Sequence, residues 1–145
     1  MTDTAPEPLP STADTEAVEA AKLAADALED KKALNITLLD VGELLQITEV
    51  FVVASGTSRR HVLTLGEEVA DQLREHGRKP LRVEGGEEGD WVLLDFGDIV
   101  VHVFQAQPRA FYDLERLWAD APRIAWEPTV SQDGPTANLP DPTGL

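Results

Sequence analysis

The stretch WVLLDFGDIVVHVF, from Trp91 to Phe104, leaves few architectures open to the chain. Trp91 to Phe96 and Ile99 to Phe104 read as two strands around Gly97, rich in branched and aromatic residues and joined closely enough for an antiparallel hairpin. The turn type is not fixed by the sequence. Side chains alternate along a strand, so Trp91, Leu93 and Asp95 share one side while Val92, Leu94 and Phe96 share the other. Both sides carry bulky apolar groups. Either helices cover both faces, or one apolar face is kept for a partner.

The rest of the chain supplies the material for that cover. Asp14 suits the cap of a helix with Val18, Ala21, Ala25 and Leu28 on one side and Glu16, Glu19, Asp26 and Glu29 on the wetter surface. Lys31 and Lys32 at its end suit the helix dipole. ALNITLLDV and EVFVVAS read as strands, the second ending near Gly56, with a turn and a short helical segment between Gly42 and Glu49. TSRRHVLTLGEEVADQLREHG predicts a long helix capped by Thr57 or Ser58, with Val62, Leu65, Val69 and Leu73 on its apolar stripe and Gly77 as its stop. Gly66 weakens its interior and permits close packing. A short strand follows Pro80 in KPLRVEGG. Pro108 opens a last helix, FYDLERLWADA, whose stripe is Phe111, Leu114 and Trp118. This order predicts an α/β fold: a small mixed sheet with flanking helices.

A chain of 145 residues suits one compact domain with extensions. Residues 1–13 read as a mobile leader, 14–127 as the domain, and 128–145, with four Pro and two Gly, as a disordered tail. With no Cys, thiolate catalysis and cysteine metal sites are excluded. No segment approaches the roughly 20 apolar residues of a membrane helix, and no secretory leader stands at the start, so a cytoplasmic protein without a membrane partner is expected. The net charge of −15 opposes broad adhesion to phosphate backbones, leaving direct RNA binding at most peripheral. A scattered acidic surface serves solubility, and it also favours a basic protein partner.

Chemistry has little to stand on. SGTSRR offers amides and Arg59 and Arg60 at a helix start, an arrangement that suits phosphate, but it lacks P-loop spacing and serves equally as a strand-to-helix turn. His61, Asp95, Asp98 and His102 are the other tempting set; a metal would need further ligands. His102 is expected to be a packed or interface residue, and Asp95 and Asp98 are expected to organise the hairpin turn through backbone amides. No Ser, His and acid spacing suggests a nucleophile. The chain is read as a non-enzyme with no cofactor, no metal and no catalytic residues.

Taken in order, LNITLLDV, FVVASGTSRRHV, WVLLDFGDIVVHVF and FYDLERLW resemble the ribosomal silencing factor family, also called Iojap-like, over roughly Ala17 to Glu127. Asn35, where the family often has an acidic residue, and Glu49-Val50, in place of its common Asp-Tyr, depart from the pattern. The resemblance implies a domain similar to the nucleotidyltransferase fold without a working transferase site. It also implies a translational repressor that binds the large ribosomal subunit through its fourteenth protein and blocks joining of the small subunit. By the same resemblance partner contacts fall on Trp91, Leu93, Leu94 and Asp95, with Arg82 beside them and Tyr112 on the last helix. A homodimeric scaffold using the same hairpin, or a nucleotide-binding enzyme using SGTSRR, are the alternatives.

Overall fold

The computed structural model describes residues 14–45, 47–85, 90–105 and 121–127. Both expected tails and, but for its last residue Ala121, the helix expected after Pro108 lie outside these residues.

Asp14 starts the first helix, α1 (Thr15–Asp30), its carboxylate accepting the Glu16 N–H at 3.1 Å. The buried face of α1 is built from Ala17, Ala20, Ala21, Ala24, Ala25, Ala27 and Leu28. Val18, expected on this stripe, is only half-buried at its border. Small side chains let the helix lie close to its neighbours. At the end of α1, Lys32 N–H bonds to Glu29 O and Ala33 N–H to Leu28 O, both at 2.9 Å, which forces Lys32 to a φ of 67° where glycine is usual.

Strand β1 (Leu34–Asp40) follows, with a register irregularity between Leu34 and Thr37. Asn35 sits there at a φ of 56°, a conformation that Asn tolerates better than most residues. The four-residue helix α2 (Gly42–Leu45) leads to β2 (Val50–Gly56), whose seven residues are all buried. Helix α3 (Arg59–Glu75) is capped by Ser58, one of the two residues expected there, whose hydroxyl accepts the His61 N–H at 3.0 Å. Gly77, at a φ of 80°, completes its stop: Gly77 N–H bonds to Arg74 O and Arg78 N–H to Leu73 O. Strands β3 (Arg82–Glu84), β4 (Trp91–Asp95) and β5 (Ile99–Gln105) complete the set.

The sheet order is β1-β2-β5-β4-β3, with β2 and β5 parallel and the other pairs antiparallel. A mixed sheet with helical cover is therefore the observed architecture, and β4 and β5 form the expected hairpin. α1 and α3 pack on one face, where Leu38, Val50, Val52, Ala54, Val92, Leu94, Phe96, Ile99, Val101 and Val103 meet the helices' buried stripes. At Gly66 α3 lies close against the sheet: a Cβ there would stand 3.2 Å from Val92 Cγ1. The opposite face holds a smaller cluster of Leu39, Val41, Phe51, Val53, Val100, Phe104 and Ala121. Residues 121–127 run beside the outer edge of β1, through a Leu39–Arg123 bridge and the Ile124 N–H to Leu38 O bond. Trp126 then donates its indole N–H to Asp26 on α1 at 3.0 Å. Among the described residues no helix is long and apolar enough to cross a membrane.

Candidate functional site

Pairing register decides which of the expected contact residues meet. Across β4 and β5, Trp91 faces Phe104, Leu93 faces His102 and Asp95 faces Val100; across β3 and β4, Arg82 faces Asp95 and Glu84 faces Leu93. Trp91, Leu93, Asp95 and Arg82 thus share the sheet face that α1 and α3 leave open, near the short edge strand β3. Leu94 does not join them. It pairs with Val83, points to the helix-covered face and is 1% exposed, because two consecutive residues of a strand cannot share a side. Its side chain is out of reach of a partner while β4 stays in the sheet. Tyr112 lies outside the described residues.

The open face has a definite anatomy. Trp91 is 47% exposed, with its ring 4.8 Å from that of Phe104 and 5.9 Å from that of His102. Its indole N–H lies 3.2 Å from Nδ1 of His102. Tryptophan only donates, so Nδ1 accepts and the neutral imidazole carries its proton on Nε2. His102 is 5% exposed, with the Phe51 ring 4.5 Å away, and burial pushes its pKa down to about 4. His102 is packed, as its place on the strand predicts, and no sequence pattern signals its bond to Trp91.

The polar rim is partly committed to the fold. Asp95 Oδ1 accepts the Gly97 N–H at 2.8 Å, the turn-organising role expected of it, while Oδ2 stands 3.7 Å from Arg82. Arg82 also reaches Glu84 on its own strand at 3.1 Å. Asp98 behaves differently from expectation: its side chain takes a two-pronged bond from Arg78 at 2.8 and 3.0 Å, and it is its carbonyl that receives amides, from Glu49 and Val50. This ties the hairpin turn to the end of α3 and the start of β2. Gly85 permits the return from β3 to β4, since a Cβ there would collide with the Trp91 carbonyl.

The helix-start motif is absorbed by the fold in a similar way. Thr57 N–H donates to His61 Nδ1 at 2.9 Å, His61 N–H to the Ser58 hydroxyl and Val62 N–H to the Ser58 carbonyl. His61 Nε2 in turn donates to Lys31 O at 2.7 Å, joining the end of α1 to the start of α3. The Thr57, His61 and Val62 amides of this helix start are thereby occupied by the fold itself. A shallow depression of about 480 Å³ beside them is lined by Ser58, Arg59, Arg60, Leu63, Thr64 and Glu67. His61 lies at the start of α3 and Asp95, Asp98 and His102 on the β4–β5 hairpin, and among the described residues no three His, Asp or Glu side chains gather as a metal would need.

Comparison with known proteins places this geometry in a lineage. The sequence profile of the family described as "Ribosomal silencing factor during starvation" matches residues 14–142. The chain is 39% identical over 113 residues to ribosomal silencing factor RsfS of Halalkalibacterium halodurans, covering 78% of this chain and 97% of that one. It is 42% identical over 101 residues to the Bacillus subtilis protein of the same name, covering 70% and 86% respectively. A crystal structure of a Chromobacterium violaceum protein superposes with a TM-score of 0.69 at 38% identity, over 81% of this chain and 98% of that one.

Proposed function

The chain belongs to the family of ribosomal silencing factors, and from that premise we propose that it represses translation by docking the open face of β3 and β4 on the large ribosomal subunit. The contact we assign is the fourteenth protein of that subunit, with the bound domain standing where the small subunit would join. Silencing is then occupancy in the cytoplasm, without turnover or cofactor.

One observation carries this reading: Trp91 is a half-exposed aromatic ring already held in place by Phe104 and His102, with Leu93 beside it and the Arg82–Asp95 pair at its rim. Aromatic anchors dominate protein interfaces, and a ring that is ordered before contact loses little entropy on binding. The acidic balance of the chain favours a basic protein partner and speeds its encounter. A second copy of the chain would compete for the same face, so a homodimer and the ribosome-bound form exclude each other.

Purified subunits test this directly. Intact protein added to separated subunits is expected to sediment with the large one and reduce the joined particle. Trp91→Ala should lose that effect by about 30-fold, the equivalent of about 2 kcal/mol at an interface anchor. Asp95→Asn, which keeps an acceptor for Gly97 while removing the charge, should act mainly on association rate and salt dependence. Failure of the intact protein to bind the large subunit would sink the proposal; full inhibition by folded Trp91→Ala would move the interface elsewhere.

A further inference from the structure

His102 is an expensive residue for its position. It sits on the central part of β5 between Phe51 and Phe104, and Nε2 is buried with no hydrogen-bond partner among the described residues. Leaving a donor unsatisfied there opposes folding, and an apolar side chain of similar size would fill the same space without that cost. Packing between Phe51 and Phe104 therefore does not by itself single out an imidazole at this site. The polar bond it does make, from Trp91 Nε1–H to Nδ1, ends on the one aromatic side chain of this face that is substantially exposed among the described residues.

We propose that His102 is the positioning residue for Trp91: its Nδ1 fixes the rotation of the indole so that the polar edge turns toward the sheet and carbon surface is offered to the docking partner. Phe104 gives the ring a bed at 4.8 Å, but an apolar contact is non-directional and leaves the choice of edge open. A hydrogen bond removes that freedom, because it weakens steeply away from linear geometry. With the N–H already satisfied, the surface that receives Trp91 needs an apolar recess and no acceptor of its own. The inference rests on the docking role proposed above, and it assigns the orientation of the anchor to a residue that the partner never touches.

The test separates orientation from packing and from the docking reading itself. In His102→Phe the ring stack is kept and the acceptor is lost; in His102→Asn the Oδ1 atom replaces Nδ1 at the same distance from the backbone. We expect His102→Phe to melt no lower than the parent yet bind the large subunit at least about 10-fold more weakly, and His102→Asn to recover most of that affinity. In nuclear magnetic resonance spectra of the unaltered protein, a scalar coupling across the Trp91 Nε1–H to His102 Nδ1 bond is expected, and the Trp91 indole signal should shift in His102→Phe and return toward its place in His102→Asn. Absence of the coupling overturns the inference without using any variant. So does binding of His102→Phe within about twofold of the parent while Trp91→Ala is strongly impaired, which leaves the docking reading standing. If folded Trp91→Ala binds as well as the parent, the docking reading fails and His102 has no anchor to position.

Discussion

The two faces of the sheet are built from similar strands but handle polar groups differently. On the helix-covered face, the side chains of β2, β4 and β5 that meet α1 and α3 are all apolar, from Val50 and Ala54 to Leu94 and Val103. On the other face β2 and β5 present His102 among Phe51, Val53 and Phe104, and toward the edge β4 presents Trp91, Leu93 and Asp95 beside Arg82 of β3. The first face gains from burial alone. The second gives up some of that gain to hold oriented groups near an edge, the arrangement that the proposed docking would use. Leu93 and Leu94 state the difference most compactly: neighbours in sequence and identical in chemistry, one lies on the face opposite the helices and the other in the core beneath them.

The largest expected effect exploits that pair. Leu94→Ala should cost about 2–5 kcal/mol of folding stability in urea unfolding, while the fraction still folded binds the large subunit as the parent does. An impaired affinity in the folded fraction would break the separation between the faces.

Acid sharpens the comparison next. His102 titrates near 6.5 when unfolded and at about 4 when folded, because burial disfavours the imidazolium. The unfolded chain takes the proton first. Stability tied to the neutral ring is therefore full above about pH 6.5 and drains away as pH falls toward 4, by about 3 kcal/mol in all. Unfolding measured across that window should show this slope in the parent and lose it in His102→Phe. An unchanged slope in the variant would place the titrating group elsewhere.

The smallest effect lies off both faces. Lys32 carries the left-handed conformation that ends α1, and Lys32→Gly should raise stability by about 1 kcal/mol in the same unfolding measurement. Subunit binding should not move. A change in affinity would mean that global stability, rather than the open face, limits docking.

Much of this fold is readable from residue pattern. Strand alternation and Gly97 give the β4–β5 hairpin, and Ser58, Gly77 and Asp14 mark the helix ends they occupy. The α1 stripe is less legible, since alanines at many positions blur which side is inner, and Val18 ends at its margin. The placement of Leu94 follows from the same alternation that groups Trp91 with Leu93; treating WVLLD as one contact block overrides it. The Trp91–His102 bond depends on hairpin register, which a turn of unspecified type leaves open. The Trp126–Asp26 bond joins residues 100 positions apart, and no local pattern signals it. Tyr112, expected on the last helix, lies outside the described residues.

Hydroxyl-radical footprinting of the protein, free and bound to the large ribosomal subunit, tests the central claim most directly. The account predicts that oxidation of Trp91 and Leu93 falls sharply on binding, while exposed side chains of α3 such as Arg74 keep their reactivity. Equal oxidation of Trp91 in the free and bound states would contradict it.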